Sequence, residues 1–353
     1  MRRSLAQRIS VVDLYLWAFR VTVLLIVVAG TIGTLRVGRY TTAHWIDFVV
    51  FGLSQGSVYA LLALGYTMVY GVLRMINFAH GEVFMSGAYT AYFVAAAFGS
   101  SGYLDRNLPI SLLIVLAVAM LTSTVIALLV ERFAYRPLRR APRLVPLISA
   151  IGASFFLQYA FRGFYGSGFK AYPEAEALTG KWIIAGIPVL RTQVVVVLGA
   201  ALMLLILYWF VMKTRTGMAM RAVSEDMNAA ALMGVDVDRI IVITFAIGAA
   251  MAGAAGVLYA LVFKQVHFFM GFVPGIKAFT AAVLGGIGNV PGAMVGGLFL
   301  GLFESVGPAL ILDGLGIVAP YQLKDVIAFT LLVMILIFRP SGILGERLAT
   351  KKA

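Results

Sequence analysis

The chain contains no cysteine. Disulfides and thiolate metal sites are therefore closed to it, and the absence fits any redox compartment. Histidine is nearly as scarce: His44, His80 and His267 are the whole set, none at ligand spacing to another, so no metal centre is expected. Charge is thin too, at 12% of residues where a soluble domain carries about 25%. The phosphate loop G-x-x-x-x-G-K-[ST] is missing, as are H-E-x-x-H and G-x-S-x-G. The run GGIGNVPG holds a Gly-x-Gly but follows no strand, so it is no nucleotide fingerprint. These absences predict a protein that is not an enzyme, has no ATPase site of its own and needs no cofactor.

What is present is apolar length. Apolar residues make up 61% of the chain, with mean hydropathy +0.97. Runs of about 20 apolar residues follow one another, the length needed to cross a bilayer as helix. The fold class expected is an all-α polytopic membrane protein of about ten passes. The runs are Leu14–Leu35, Phe48–Gly71, Glu82–Phe98, Pro109–Val130, Val145–Tyr165, Thr192–Met212, Ile240–Phe263, Ile276–Ile287, Ala293–Leu312 and Leu323–Phe338. Ile276–Ile287 is short for a full crossing, so a broken or half helix is expected there. The first run follows Arg2, Arg3 and Arg8 but is too long for a cleaved signal, and is read as a retained span. Arg20 within it is expected to snorkel towards the cytoplasmic interface.

The net charge of +13 would suggest nucleic acid in a soluble protein. Here the arginines sit in short loops, so topology explains them, with the lipid bilayer as partner and no nucleic acid. Loop 131–144 holds Arg132, Arg136, Arg139, Arg140 and Arg143 and is expected to be cytoplasmic. The N-terminus, the loop 213–239 and the C-terminal tail with Arg339, Arg347, Lys351 and Lys352 are basic as well. That places both termini in the cytoplasm, as an even number of passes requires. The segment around KAYPEAEALTGKW, of mixed charge with a proline, reads as an exterior hairpin.

Two segments interrupt apolar helices with polar residues: 65–89, GYTMVYGVLRMINFAHGEVFMSGAY, and 278–297, AFTAAVLGGIGNVPGAMVGG. Each has an aromatic approach, a glycine turn, an asparagine (Asn77 or Asn289) and small residues opening the next helix. Paired helix breaks of this kind build transport pathways, because freed backbone groups must line a cavity or be buried in protein. The competing reading is that the glycines only allow close helix packing. Asn77, His80 and Glu82 crowd the first break; a hydrogen-bonded set fixing the loop is favoured over a metal or proton relay. Glu304, alone in LFLGLFESVGPAL, is a functional candidate by its depth, or else a buried partner for a neighbouring helix. Asn77, His80, Glu82, Asn289 and Glu304 are thus the candidates for a translocation pathway. Lys277 and Arg162 are expected to snorkel from the ends of their spans.

Acidic residues gather in one place, the segment TGMAMRAVSEDMNAAALMGVDVDRIIVITFAIG from Thr216 to Gly248. Glu225, Asp226, Asp236 and Asp238 lie there beside Arg221 and Arg239, with a small-residue helix at Asn228–Leu232 and a turn at Gly234. Spacing alone leaves docking to a soluble partner and a plain solvated connector as equal readings.

These segments, with ERFAYRPLR, LISAIGASFFLQ, GIKAFTAAVLGGIGNVPGAMVGGL and the closing RPSGILG, resemble the LivH-type permease of bacterial branched-chain amino acid ABC importers. The resemblance covers roughly Asp47 to Gly345. It implies a type II importer-like permease domain at 48–345 in the bacterial inner membrane. It also implies a cytoplasmic coupling loop at 214–239, where Arg221, Glu225, Asp226, Asn228, Gly234 and Asp238 would engage an ATPase. Implied partners are a second, LivM-type permease subunit, two cytoplasmic ATPase subunits and a periplasmic substrate-binding protein. Urea and short-chain amide permeases share most of the motifs, so they are the alternative; a proton-coupled secondary transporter working through Glu304 and His80 is the rival from another class. Residues 1–47 depart from the pattern as an extension with an additional helix, 346–353 form a basic tail, and the Gly166–Lys181 segment has no match in the family pattern.

Overall fold

The computed structural model describes residues 11–139, 141–142, 144–184, 186–339 and 341–345. The basic positions Arg2, Arg3, Arg8, Arg140, Arg143, Arg347, Lys351 and Lys352, and with them the basic tail, lie outside the described residues.

Among the described residues nine helical segments are long and apolar enough to cross a membrane, with a shorter apolar helix at Phe272–Gly285. In chain order the α-helices are α1 (Val11–Val37), α2 (Thr42–Leu73), α3 (His80–Ser100), α4 (Tyr103–Arg106), α5 (Leu108–Val130), α6 (Leu144–Tyr165), α7 (Arg191–Lys213), α8 (Arg215–Glu225), α9 (Met227–Leu232), α10 (Val237–Phe263), α11 (Phe272–Gly285), α12 (Val290–Gly307) and α13 (Lys324–Phe338). The ten expected runs fall on α1, α2, α3, α5, α6, α7, α10, α11, α12 and α13. The short run at Ile276–Ile287 is α11, 14 residues and so about 21 Å of helix.

Local chemistry sets the helix ends. Thr41 and His44 form a capping box that starts α2 six residues ahead of the apolar run, so residues 42–47 are its first turns rather than a linker. Arg74 ends α2 in the left-handed conformation (φ 54°), returning its N–H to the Tyr70 carbonyl at 2.8 Å. α5 widens into a π turn at Glu131–Tyr135 before Pro137 stops it, and α12 does the same at Pro308–Leu312, where Pro308 removes a donor from the ladder.

α2 runs through the centre, buried along most of its length from Gly52 to Val72. α12 packs on it through glycines. A methyl group built on Gly297 would lie 2.4 Å from Ala60 Cα, and one on Gly301 would lie 2.3 Å from Gly56 Cα. Such contacts replace the hydrophobic drive that lipid does not supply between helices. The packing reading of the break glycines is therefore correct for much of the bundle. α1 sits outside the core, laying Gly30 and Gly33 on Ile311 and Gly314, with Thr34 Oγ1 donating to the Ala309 and Leu310 carbonyls at 3.1 Å.

The connections fall on two opposite faces. One carries the 74–79 break, the 131–144 loop, α8, α9 and the 286–289 turn. The other carries the hairpin β2–β3 (Lys181–Ile184 with Ile187–Leu190) and a two-residue ladder joining β1 (Lys170–Ala171) to β4 (Gln265–Val266). The hairpin thus lies at 181–190, largely beyond the KAYPEAEALTGKW segment expected to form it; that segment instead pairs β1 with β4 and turns through a short 3-10 helix at Glu176–Leu178. Arg39 pairs with Asp313 at 2.8 Å on this hairpin face, and Arg139 with Asp238 at 2.5 Å on the loop face.

Candidate functional site

The acidic loop is a built structure. Thr214 Oγ1 accepts the Gly217 N–H at 3.0 Å and starts α8. Asp226 accepts the N–H groups of Asn228 (2.8 Å) and Ala229 (3.0 Å) and starts α9; Asp236 accepts that of Arg239 at 3.0 Å and starts α10. Gly234 turns the chain with φ +86°, a conformation that suits glycine. Asp238 joins Arg139 and lies 3.6 Å from Arg136. Arg139 also pairs with the buried Glu131. The expected small-residue helix begins one residue earlier, at Met227. Glu225 and Asn228 are exposed, and so is Arg221, whose guanidinium reaches the Met212 carbonyl at 3.5 Å. Three of the four acids therefore have work inside this chain: two begin helices and one ties the loop to α5.

The surface of α9 adds what the acids did not reveal. Leu232 is 88% exposed and Met233 84%, at the tip of a helix on the loop face. Arg74 binds this loop to the bundle: its guanidinium donates to the Ser224 carbonyl at 2.5 Å. The C-terminal end of α2, where the first break begins, is thereby fastened to the end of α8.

At that break the polar residues are buried but turn towards different neighbours. Asn77 Oδ1 accepts the Tyr135 hydroxyl at 2.5 Å. His80 packs its ring edge-on to Tyr66, 4.8 Å between centroids, against a bare Gly65. Glu82 Oε1 accepts Gln158 Nε2 at 2.6 Å, with Ser154 Oγ at 3.4 Å. Asn289 caps α12 by accepting the Gly292 N–H at 3.0 Å and donates to the Leu344 carbonyl at 2.7 Å, on the loop face. Glu304 lies farther along α12, about 22 Å by helical rise. The five pathway candidates thus do not meet in one chamber. A small cleft does form between the two breaks, lined by Tyr66, Tyr70, Ile76, Phe279, Ala282 and Ile287. Its walls are aromatic and aliphatic, which is why a search for polar residues passed over them.

Glu304 is 1% exposed and forms an ion pair with Lys277, itself 2% exposed. Lys277 does not snorkel, as its place near a span end suggested. Asp325 Oδ1 stands 2.6 Å from its ammonium, and Lys324 lies 3.8 Å from Glu304. The reading of Glu304 as a buried partner is the one this geometry supports, with a cation as the partner. Arg20 lies over the Phe338 ring at 4.1 Å, a cation–π contact between α1 and the end of α13. Among the described residues no group of three or more His, Cys, Asp or Glu could hold a metal ion.

The chain is 44% identical over 306 residues to the high-affinity branched-chain amino acid transport system permease protein BraD of Pseudomonas aeruginosa, covering 86% of this chain and 96% of that one. It is 42% identical over 312 residues to the permease protein LivH of Escherichia coli K12, with the same coverage. A solved inward-facing ABC transporter of metal-chelate type aligns at 14% identity, covering 89% of this chain and 96% of that one, with a TM-score of 0.41, a likeness that carries no argument. The family model described as branched-chain amino acid transport system / permease component matches residues 48–336, and this chain, a multi-pass membrane protein, belongs to that family.

Proposed function

We propose that the chain is the permease subunit of an ABC importer that moves branched-chain amino acids delivered by a periplasmic binding protein. Leu232 and Met233 carry the docking half of this reading. Two large apolar side chains held out on a capped helix, beside a polar surface, suit insertion into a pocket on a soluble ATPase. Arg74 and Ser224 then carry movement of that helix into the end of α2 and the cleft beside it. The loop face is the cytoplasmic one in this reading, with both termini on it, since Arg132, Arg136 and Arg139 lie there. A second permease of LivM type completes the passage, and two ATPase subunits drive it. Asn77, Asn289 and Glu304 brace the passage, while the cleft between the breaks lines it. The substrate class rests on the kinship with BraD and LivH.

The test is co-reconstitution with the ATPase, second permease and binding protein in proteoliposomes. Labelled leucine should enter only with ATP, and urea should neither enter nor compete. Proton-driven uptake by this chain alone would overturn the proposal, and competition by urea would replace its substrate.

A further inference from the structure

Beyond α13 the closing RPSGILG motif folds back onto the second helix break. Gly342 turns the chain there, with φ +79° and its N–H on the Arg339 carbonyl at 2.8 Å. The next two residues supply what the end of α11 lacks. A helix leaves its last four carbonyls without partners of its own. In α11 the Ala282 and Val283 carbonyls share the Gly286 N–H, at 3.0 and 3.1 Å. The Leu284 carbonyl accepts the N–H of Ile343 at 2.8 Å, and the Gly285 carbonyl that of Leu344 at 3.0 Å. Asn289, across the turn, donates to the Leu344 carbonyl at 2.7 Å.

The fit is backbone against backbone. A methyl group on Gly342 would lie 2.5 Å from the Gly286 nitrogen, and one on Gly286 would lie 2.5 Å from the Gly345 nitrogen. Ala282 and Ile287, on either side of the clasped residues, are walls of the cleft between the breaks. Residues 341–345 thus set where that wall stands. Their own hold is slight. Leu344 is 44% exposed, the segment has no helix or strand of its own, and α13, which carries it, buries only Ala328 of its 15 residues. Few buried apolar contacts and hydrogen bonds close to the surface mark the segments that open first.

We infer that residues 341–345 are a releasable latch on the second break. Closed, the latch holds the 286–289 turn, and Ile287 with it, at the loop-face end of the passage; during the ATP cycle it lets go. The inference rests on the amino-acid import reading and deepens it, by naming a part whose release regulates the passage. Release exposes the Leu284 and Gly285 carbonyls and the Asn289 amide together. Gly288 and Leu344 are exposed, so water reaches the place and takes over these bonds. Such an exchange of protein for water partners nets little. A modest pull from elsewhere in the assembly is therefore enough to open the latch, and Ile287 is then free to leave the cleft.

The test is hydrogen exchange of the 341–345 peptide in the assembled transporter in nanodiscs, at rest and with ATP trapped by vanadate, alongside ATP-driven leucine uptake. The Ile343 and Leu344 amides should be protected at rest, and trapping should speed their exchange at least about fivefold. A merely structural clasp would stay protected in both states. Gly342→Val, whose side chain presses on Gly286, should exchange fast without nucleotide and raise ATP hydrolysis several-fold in the absence of binding protein. Gly316→Ala brings the same left-handed strain (φ +73°) at a place with nothing within 4 Å, and should do neither. If Gly342→Val is not recovered folded, the wild-type comparison decides alone. Equal protection in both states while leucine uptake proceeds would overturn the latch and leave the import reading standing. Fast exchange at rest, or wild-type hydrolysis in folded Gly342→Val, would do the same. Absence of ATP-driven leucine uptake by the wild-type assembly would overturn the import reading itself, and the latch with it.

Discussion

Lys277 of α11 and Glu304 of α12 close an ion pair in the sealed interior of the bundle, and Asp325 of α13 brings a second carboxylate to the same ammonium. One cation thus joins three helices, one of them the short helix before the second break. Removing either member of the Lys277–Glu304 pair leaves a buried charge short of its partner, which costs about 3–5 kcal/mol. Glu304→Leu and Lys277→Met should therefore lower the thermal midpoint of the purified protein steeply. Glu304→Gln, which keeps shape and a hydrogen-bonding group while Asp325 still faces Lys277, should lower it far less. The exchange Lys277→Glu with Glu304→Lys should recover part of the loss.

The caps separate charge from docking in the acidic loop. Asp226→Asn removes charge but retains a good capping side chain, and should leave uptake near wild type. Asp226→Ala should destabilise the start of α9 by about 1 kcal/mol. Leu232→Asp with Met233→Asp should leave insertion unchanged while abolishing co-purification of the ATPase. Intact co-purification in that double variant would move docking elsewhere.

Sidedness is measurable because the chain has no native cysteine. A cysteine at Asn228 should resist a membrane-impermeant thiol reagent in intact cells, and one at Glu176 should react. Labelling of the Asn228 position from outside would invert the orientation and remove the docking proposal with it.

Close glycine packing predicts a sharp positional contrast. A side chain at Gly297 meets the Ala60 backbone, which cannot yield without moving α2, and overpacking of this kind costs about 1–3 kcal/mol or more. Gly297→Val should reduce recovery of folded protein. Gly152→Ala on α6, where a methyl meets nothing within 4 Å, should be silent.

The helices were legible in the sequence because apolar length is a property of composition. The breaks at 74–79 and 286–289 were legible from Gly and Asn among apolar runs. The partners were not. Lys277 stands near the end of its run, and only the crossing of α11, α12 and α13 brings it to Glu304. Glu82 looked like a neighbour of His80, yet two positions along a helix turn side chains about 200° apart, and Gln158 reaches Glu82 from a different helix. The docking candidates Leu232 and Met233 were hidden because an exposed apolar residue reads in sequence like a buried one.

The peripheral seat of α1 carries a consequence for counting crossings. Its bonds to the rest run through the end of α12, the Arg39–Asp313 pair and Arg20 on Phe338. In the proposed topology, with α11 counted as a crossing beside the nine longer spans, α1 makes the number of crossings even. A chain shortened to begin at α2 keeps the core helices and their glycine contacts but crosses an odd number of times. Its leading end would then emerge on the opposite side, so a tag fused there would report the other compartment.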